Sequence, residues 1–293
     1  MEVRSGFVAV VGRPNVGKST LVNYVIGSKV AIVSEKPQTT RNQVQGVLTR
    51  EDAQVVFIDT PGLHVPKHKL GQYMVRQART AVSEVDVVVF VFDGSAGFTS
   101  EDERIYDELR ELSGKGPELV VVANKADAMA EAQRKRLQNL KFSSLMLVSA
   151  LTGQGVEEFL ALLISKLPLG PKYYPDDWVS AHPEQFIVAE FIREKVLRST
   201  EEEVPHAVAV IIEDFRQREQ RELIDIRATI IVERDSQKGI IIGKGGRMLK
   251  SIGQAARLDI EALLGSQVNL QLWVKVKKNW RKNEDELRRL GYR

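Results

Sequence analysis

The feature of the sequence that most restricts its fold is a glycine loop at residues 12–19, which read Gly-Arg-Pro-Asn-Val-Gly-Lys-Ser. These residues match the pattern G-x-x-x-x-G-K-[ST], in which curled backbone N–H groups and a helix N-terminus surround a phosphate. The loop follows an apolar run at residues 7–11 and precedes a helical stretch at residues 20–26. This setting predicts a phosphate-binding loop, or P-loop, between a strand and a helix. The alternative is a chance glycine turn.

The surrounding sequence predicts an α/β fold for the first part of the chain. Over residues 6–165, apolar runs rich in β-branched residues alternate with amphipathic stretches, and the predicted strands are 7–11, 55–58, 87–92, 119–122 and 145–148. Strands that are apolar throughout and are joined by helices form a mostly parallel sheet with helices on both faces. A hairpin of residues 42–50 and 54–59 is expected to add one antiparallel edge strand.

Composition excludes several classes of protein. The 293 residues contain no cysteine, which rules out disulfide scaffolds, thiolate zinc sites and cysteine nucleophiles. The longest apolar run, at residues 87–92, is too short to cross a bilayer. Residues 1–6 lack the cationic segment and apolar core of a signal peptide. We therefore expect a cytoplasmic protein.

The segment Leu-Pro-Leu-Gly-Pro at residues 167–171 interrupts the alternation and predicts a domain linker. We expect a first domain at 1–167, a linker at 168–183 and a second domain at 184–293. The second domain is predicted to contain a helix, two strands, a helix ending near residue 264 and a strand, with the helix at 184–198 and the strands at 204–213, 222–234 and 267–277. Asn283 and Glu286 offer a capping box for a last short helix. The order α-β-β-α-β indicates a smaller α+β module.

Three further motifs follow predicted strands of the first domain. Asp59 begins Asp-Thr-Pro-Gly, where its carboxylate can hold Mg²⁺ and the N–H of Gly62 can contact a γ-phosphate. Asp127 ends Asn-Lys-Ala-Asp, and its carboxylate can accept hydrogen bonds from guanine N1–H and N2–H₂, a pair that adenine lacks. A backbone N–H after the next strand can approach guanine O6. The residues predicted to surround the base are Asn124, Lys125, Asp127, Ser149, Ala150 and Leu151.

In this order the motifs resemble the guanine-nucleotide-binding elements of the translation-factor-related, Ras-like GTPases over about the first 165 residues. The resemblance implies binding of GTP and GDP, hydrolysis of GTP, and Mg²⁺ held by Ser19, Asp59 and a threonine. Residues 37–41 form the first-switch segment, in which the family's Thr-Arg pair favours Thr40 as that ligand and Thr39 is the alternative. Lys18 is expected at the β- and γ-phosphates, and the loop residues that bind nucleotide are Asn15, Val16, Gly17, Lys18, Ser19 and Thr20.

Position 63 departs from the small signalling GTPases, in which a glutamine after the second-switch glycine orients the attacking water. This chain has Leu63, whose side chain forms no hydrogen bonds. Relatives with this substitution, and with an asparagine at the position of Asn15, often use K⁺ beside the phosphates. The resemblance thus implies K⁺ as a further cofactor, and slow hydrolysis without K⁺ or an activator. The alternative is that Asn15 only caps a loop turn.

Residues 243–246, Gly-Lys-Gly-Gly, follow three isoleucines and precede a predicted helix. In K-homology (KH) domains such a G-x-x-G loop lets an RNA backbone approach while bases enter an apolar groove, and α-β-β-α-β is the order of the bacterial, type II form. Residues 238–293 carry 13 Lys and Arg against 5 Asp and Glu, whereas the whole chain is only +3. Trp273 and Trp280 could stack on bases, but a core or interdomain position is the preferred interpretation for each. The predicted RNA contacts are Lys238, Ile242, Gly243, Lys244, Gly245, Gly246, Arg247 and Lys250.

Taken whole, the chain resembles the Era family of bacterial ribosome-assembly GTPases, in which a Ras-like domain precedes a type II KH domain. The resemblance rests on Gln-Thr-Thr-Arg at 38–41, Asp-Thr-Pro-Gly-Leu-His at 59–64 and Leu-Trp-Val-Lys-Val-Lys at 272–277. It implies binding to the 3′ end of small-subunit ribosomal RNA in the GTP state, release after hydrolysis, and a role in small-subunit assembly. We expect a monomer. Members of the family are also reported at the inner face of the cell membrane, as peripheral proteins.

Two other functions fit parts of the sequence. A signalling switch whose C-terminal module binds protein would show no salt-dependent binding to RNA. A GTPase of RNA modification would need a further catalytic domain or cysteine chemistry, and the sequence offers neither. We therefore expect an RNA-binding GTPase in which GTP and RNA tighten each other's binding by the same factor.

Overall fold

The computed structural model describes residues 3–63, 65–66, 68–113, 116–140, 142–218 and 222–292, so that His64 of the sequence resemblance lies outside the described residues. The chain forms two compact units. The first comprises residues 1–31, 40–65 and 74–181, and the second comprises residues 32–39, 66–73 and 182–293. Within the described ranges, no helix combines the length and the apolar character that a membrane span needs.

The first unit contains a seven-stranded sheet. Its strands are β1 (Val3–Val11), β2 (Val44–Thr49), β3 (Ala53–Asp59), β4 (Val87–Asp93), β5 (Glu118–Asn124), β6 (Leu145–Leu147) and β7 (Leu169–Gly170). The helices are α1 (Lys18–Ile26), α2 (Lys69–Ser83), α3 (Ser100–Ser113), α4 (Glu131–Gln138) and α5 (Val156–Lys166), of which α2 has its first five residues in the second unit. The strand order is β2-β3-β1-β4-β5-β6, and β7 pairs with the start of β1. Only β2 and β7 run antiparallel to their partners among the described strands of this sheet.

The apolar strands explain why helices cover both faces of this sheet. Successive side chains of a strand point to opposite faces, and in β4 both sets are apolar. Val89 and Val91 pack on one face with side chains of α1 and α5, whereas Phe90 and Phe92 pack on the other with side chains of α2 and α3. The predicted parallel sheet, its helices on both faces and the antiparallel edge hairpin of β2 and β3 are therefore confirmed.

The segment predicted as a linker is ordered along the first unit. Its residues in β7 continue the sheet beside β1, although prolines flank them, because a two-residue strand needs few backbone N–H groups. Further on, the buried side chain of Gln54 accepts hydrogen bonds from the N–H groups of Tyr173 (2.6 Å) and Tyr174 (2.9 Å). The Val47 N–H donates to the Val179 carbonyl at 3.0 Å. Backbone pairing thus binds this segment to the edge of the sheet.

The second unit contains a three-stranded sheet with helices packed on it. Its helices are α6 (Glu184–Ser199), α7 (Asp235–Ile242), α8 (Arg247–Leu264) and α9 (Glu284–Arg289), and its strands are β8 (Ala209–Gln217), β9 (Leu223–Val232) and β10 (Gln267–Val276). The strand order is β10-β9-β8, with β9 antiparallel to β8 and parallel to β10. The core lies between this sheet and helices α6, α7 and α8. Asn283 caps α9, as predicted, by accepting hydrogen bonds from two backbone N–H groups.

Helix α7 corrects the predicted order of elements. Residues 235–242 are helical, so the unit runs α-β-β-α-α-β and not α-β-β-α-β. The side chain of Gln237 caps this helix by accepting hydrogen bonds from the Glu233 and Arg234 N–H groups, at 2.9 and 3.1 Å. Ile241 is buried, whereas Ile240 is half exposed, so the isoleucines that precede the glycine loop are a helix face. Three consecutive β-branched residues concealed this helix because they favour a strand.

The two tryptophans near the C-terminus differ. Trp280 is fully buried, its indole N–H donates to the Ala207 carbonyl at 3.0 Å, and its ring stacks on Tyr292. This confirms the core interpretation for Trp280. Trp273 is 44% exposed on β10, so the core interpretation was wrong for that residue.

Candidate functional site

The P-loop joins the end of β1 to the start of α1. Asn15 and Gly17 have φ values of +63° and +95°, in the left-handed region that residues other than glycine rarely adopt. A Cβ at position 17 would lie 2.2 Å from Asn124 Nδ2, so only glycine fits there. Asparagine is one of the few residues that tolerate a left-handed backbone, which agrees with a loop-turn role for Asn15. Val16 is buried, and Thr20 lies in the first turn of α1.

Lys18, the first residue of α1, is almost completely buried. Its Nζ donates hydrogen bonds to the carbonyl oxygens of Gly12, at 3.1 Å, and Arg13, at 2.8 Å. Burial lowers the pKa of Lys18 to about 8, with the charge of Asp59 opposing this and that of Arg13 adding to it. An ammonium group that is buried among neutral carbonyl partners can form much stronger hydrogen bonds with phosphate oxygens.

Ser19, Thr40 and Asp59 come together beside the P-loop. Ser19 Oγ donates to Asp59 Oδ2 at 2.6 Å, Thr40 Oγ1 donates to the same oxygen at 3.2 Å, and the two hydroxyl oxygens are 3.0 Å apart. The other oxygen, Asp59 Oδ1, is buried and has no hydrogen-bond partner among the described residues. Burial raises the pKa of Asp59 to about 6, against the opposing effects of Lys18 and the two hydroxyls. Hard oxygen donors with one unsatisfied carboxylate oxygen fit Mg²⁺, the predicted metal.

The neighbouring Thr39 is not part of this cluster. Its Oγ1 donates to the Lys36 carbonyl at 2.5 Å and lies 2.7 Å from Ser34 Oγ, so the side chain closes a turn within its own loop. Of the two threonines considered as the metal ligand, the structure brings Thr40 to Ser19 and Asp59.

Helix α6 binds the segment that leads to Thr40, and no sequence motif predicted this contact. Within the second unit, Glu194 Oε1 accepts a hydrogen bond from the Val33 N–H at 3.0 Å, and the buried Arg193 guanidinium donates to the Thr39 carbonyl. Glu194 is fully buried, and Arg198 donates to the Val33 carbonyl at 2.9 Å. All of these contacts are to backbone groups, so they define the path of residues 33–39 and not the identity of their side chains.

Gly62 ends the Asp-Thr-Pro-Gly motif that begins at Asp59, and Leu63 follows it. A Cβ at Gly62 would lie 2.7 Å from Pro14 N, so glycine permits the close approach of this turn to the P-loop. The Leu63 N–H donates to the Gly12 carbonyl at 3.2 Å, while its side chain is buried in the apolar core. Position 63 therefore contributes no polar side chain that could orient water.

The motifs predicted to surround the base are joined by Asn124. Its Nδ2 donates to the Val16 carbonyl at 2.8 Å, and its Oδ1 accepts from the Ala150 N–H at 2.9 Å. One side chain thus connects the P-loop with the loop after β6. Ser149 is buried, Leu151 is exposed, and Asp127 is exposed with its carboxylate available to a ligand.

Asp93, at the end of β4, is a residue that the sequence motifs did not reveal. Lys125 has a left-handed backbone, with φ +64°, and its Nζ lies 2.5 Å from Asp93 Oδ2. Burial opposes ionisation of Asp93, but hydrogen bonds from Lys125 and Ser95 lower the pKa of its carboxyl group. The pair joins the end of β4 to the residue that precedes the turn carrying Asp127. Its only sequence signal was an acidic residue at the end of a buried strand.

The glycine loop of the second unit joins α7 to α8. Gly243, Gly245 and Gly246 have φ values of +68°, +61° and +77°, which few other residues would accept. Lys244 between them is exposed. The loop therefore presents a bare backbone flanked by one lysine, as a close approach of a nucleic-acid backbone requires.

A groove of about 380 Å³ runs from this loop between α8 and β10. Its α8 side, with the glycine before that helix, is polar, charged or small except for Leu249, and its β10 side is mostly apolar; the lining is Gly246, Leu249, Lys250, Gly253, Gln254, Arg257, Val268, Asn269, Leu270 and Leu272. Two of the predicted RNA contacts, Gly246 and Lys250, line it. The other six lie on α7, in the loop or at the first residue of α8, outside the lining, and are Lys238, Ile242, Gly243, Lys244, Gly245 and Arg247.

Comparison with known protein families finds two matches, one in each part of the chain that carries a candidate site. Residues 7–125 match the family described as 50S ribosome-binding GTPase. Residues 203–281 match the KH domain family. The nucleotide cluster lies in the first match, and the glycine loop with its groove lies in the second.

Whole proteins of the same architecture are also similar. The chain is 51% identical to GTPase Era of Staphylococcus haemolyticus, over 99% of this chain and 98% of that protein. A crystal structure of Era in complex with MgGDPNP and nucleotides 1506–1542 of 16S ribosomal RNA is 38% identical, with a TM-score of 0.92 and 99% of each chain covered. A crystal structure of an Aquifex aeolicus Era variant bound to GDP and AlF₄⁻ is 37% identical, with a TM-score of 0.93 and the same coverage. Because the identity extends over almost the whole of both chains, this chain belongs to the Era family of GTPases.

Proposed function

We propose that the chain binds GTP, hydrolyses it to GDP and phosphate, and binds the 3′ end of small-subunit ribosomal RNA during assembly of the small ribosomal subunit. The observation that carries the nucleotide half is the convergence of Ser19, Thr40 and Asp59 beside the buried Lys18. The RNA half is supported by the KH match, by the glycine loop and by the groove beside it. Era bound to both MgGDPNP and ribosomal RNA supports the combination.

The phosphates of GTP are held by backbone N–H groups of the P-loop and by Lys18. On binding, Lys18 Nζ exchanges the Gly12 and Arg13 carbonyls for phosphate oxygens, and the low local dielectric strengthens this interaction. When bound, Mg²⁺ neutralises charge that develops on the phosphates, and Ser19, Thr40 and Asp59 are the residues that hold it. The Gly62 N–H, beside the P-loop, binds the γ-phosphate. Asp127 selects guanine over adenine.

Hydrolysis needs a group other than residue 63 to stabilise the transition state, because Leu63 is buried in the core. We propose that Asn15 helps to hold K⁺ beside the phosphates. The ion would supply positive charge where negative charge develops in the transition state. The exposed position of Asn15 on the P-loop supports this. Single-turnover hydrolysis is expected to be faster in K⁺ than in Na⁺, and slow in Na⁺ without an activator. Equal rates in the two buffers would leave Asn15 with its loop-turn role alone.

RNA binds along the groove between α8 and β10, with its backbone at the glycine loop. Lys250 and Arg257 line the groove on the α8 side and are placed for phosphate contacts, while Gln254 and Asn269 offer hydrogen bonds to base edges. Apolar residues of β10 form the opposite wall, against which unstacked bases can pack. The alternative, a protein-binding switch, is less favoured because the domain matches an RNA-binding family.

In the proposed cycle, the GTP state binds the ribosomal precursor and hydrolysis releases it. This role is cytoplasmic, and we propose that the chain acts as a monomer. Peripheral attachment to the inner face of the cell membrane stays a prediction from the family resemblance.

The experiment that tests the proposal measures two activities of the same preparation. We expect Mg²⁺-dependent release of phosphate from GTP and not from ATP, and filter binding of an RNA with the 3′-terminal sequence of small-subunit ribosomal RNA in preference to a scrambled RNA. Lys18→Ala should abolish the first activity and leave the second measurable. GTP hydrolysis without preference for that RNA would support the protein-binding alternative.

A further inference from the structure

An ion pair between the partly exposed Arg13 and the buried Asp102 connects the P-loop to helix α3. Arg13 Nε donates to Asp102 Oδ1 at 2.6 Å, and the Asp102 side chain is completely buried. The other carboxylate oxygen, Oδ2, accepts hydrogen bonds from the N–H and Oγ1 of Thr99, at 3.0 and 2.7 Å. In return Thr99 Oγ1 accepts the Asp102 N–H at 3.3 Å, so the two residues cap the start of α3. One carboxylate therefore serves both a helix cap and the P-loop.

The helix cap alone does not account for this arrangement. A cap needs one acceptor at the helix start, and the neighbouring Glu101 and Glu103 supply negative charge in the first turn while remaining exposed. Burying the Asp102 carboxylate and part of the Arg13 guanidinium costs desolvation energy, and an apolar pair of the same size is often equally stable. The strong hydrogen bond to Asp102 is the main reason that the pKa of Arg13 is raised. The desolvation cost of this contact suggests that its role concerns the conformation of the P-loop.

Arg13 belongs to the part of the P-loop that must be held in position. Its carbonyl oxygen accepts a hydrogen bond from Lys18 Nζ at 2.8 Å, and its peptide leads directly into Pro14 and Asn15. An extended side chain fixed at its guanidinium end limits the orientations that this peptide can adopt. Loops that are ordered before their ligand arrives lose less conformational entropy on binding.

We propose that Asp102 is a positioning residue for the phosphate-binding loop, acting through Arg13. Asp102 touches neither substrate nor metal; it holds the Arg13 peptide so that the loop N–H groups and Lys18 are already arranged for the phosphates. The inference rests on the proposed binding of GTP. It makes the start of α3, 89 residues away in the sequence, a functional part of the nucleotide site.

The test measures the affinity for a fluorescent GTP analogue in wild type, Asp102→Asn, Arg13→Met and the double variant. Asparagine keeps an acceptor for Thr99 and loses the ionic partner of Arg13. Each single change is expected to weaken binding about tenfold, and the double variant is expected to be no weaker than either single one. Backbone amide exchange in residues 13–17 should rise in all three variants. Arg13→Lys should fall between wild type and Arg13→Met, because lysine keeps the charge without the planar guanidinium.

Glu101→Gln is the matched control, since Glu101 is an exposed neighbouring carboxylate whose charge also acts on Arg13. It should bind the analogue as wild type does. If the Asp102 and Arg13 variants kept wild-type affinity and loop exchange while their melting temperatures fell, the pair would be structural and the inference would be wrong. If wild type itself did not bind the analogue, the proposed function would fail first.

Discussion

At the scale of single residues, the nucleotide site depends on charges that are buried before any ligand arrives. Asp59 and Lys18 are both buried, and each has a pKa shifted toward its neutral form, to about 6 and about 8. Asp59 also keeps one oxygen without a hydrogen-bond partner among the described residues. These groups store an unfavourable desolvation energy that phosphate and Mg²⁺ relieve on binding. The site is therefore less stable empty than loaded.

The raised pKa of Asp59 predicts how metal-free stability varies with pH. The folded protein holds this proton up to about pH 6, whereas the unfolded chain loses it near the ordinary value of 3.8. Stability due to this group is thus fully present below pH 3.8 and is lost as the pH rises through about 6. Relative to Asp59→Asn, metal-free wild type should gain about 1 kcal/mol in unfolding free energy as the pH falls from 6 to 5, because the folded carboxyl group is only about half protonated at pH 6. Urea titrations measure this difference, and parallel curves would contradict it.

The two threonines of the first-switch segment predict different defects. Thr40 is hydrogen-bonded to Asp59 and close to Ser19, whereas the Thr39 hydroxyl closes a turn with Ser34 and Lys36. Thr40→Ala should raise the Mg²⁺ concentration needed for half-maximal hydrolysis about tenfold, because it removes the proposed metal ligand. Thr39→Ala should leave that concentration unchanged within about twofold. Magnesium titrations of single-turnover hydrolysis separate the two, and the reverse ranking would assign the metal to Thr39.

At the scale of elements, helix α6 is the support of residues 33–39. It contacts the backbone at both ends of that stretch, through Glu194 at Val33 and through Arg193 at Thr39. Ile32, the residue before, is buried in the core of the second unit. The path of the chain toward Thr40 is therefore set within the second unit by buried charged side chains, and it should loosen when one of them is removed.

Hydrogen exchange measures this support. Arg193→Met removes the donor to the Thr39 carbonyl and should speed amide exchange in residues 33–39 about tenfold, because local opening then breaks fewer contacts. Arg193→Lys should have a smaller effect. Arg216→Met, which changes an exposed arginine on β8 of the same unit, should have none. Unchanged exchange in Arg193→Met would show that the segment is held by its own turn.

The elements also show what could be predicted from the sequence. Strands β4 and β5 were predictable because burial on both faces requires apolar residues throughout. Helix α7 was not, because its cap comes from Gln237 and three isoleucines occupy its last turn. The P-loop and Asp59 were predictable from local motifs, whereas the partnership of Arg13 and Asp102 joins residues far apart in sequence. Groove residues on α8 recur with helical spacing, but their β10 partners depend on strand pairing that no local pattern specifies.

At the scale of the whole molecule, the distribution of charge matters more than its total. The chain has a net charge of +3, yet residues 238–293 hold 13 basic against 5 acidic residues. These residues include the glycine loop and both sides of the groove. Phosphate binding by such a surface releases counterions, so the affinity for RNA must fall as salt rises.

Single charge deletions predict the size of that salt effect. Lys250→Ala and Arg257→Ala remove charges that line the groove. Each should make the negative slope of log affinity against log salt less steep by about 0.7, as expected for the loss of one phosphate contact of a single strand. Lys135→Ala removes the same charge from the exposed surface of α4 in the first unit and should leave the slope unchanged. Filter binding between 50 and 200 mM KCl, concentrations chosen to span about a fourfold range, measures it. Equal slopes for all variants would show that the RNA does not bind in this groove.

We propose that one chain combines a GTP switch with an RNA site, and that binding at the two sites is coupled. The most direct measurement is the affinity for the 3′-terminal RNA with a non-hydrolysable GTP analogue and with GDP, together with the affinity for each nucleotide with and without RNA. We predict that RNA binds more tightly in the GTP-analogue state than in the GDP state. RNA should increase the affinity for the analogue relative to GDP by the same factor. Equal RNA affinity in both nucleotide states would show that the nucleotide site and the RNA site are not coupled.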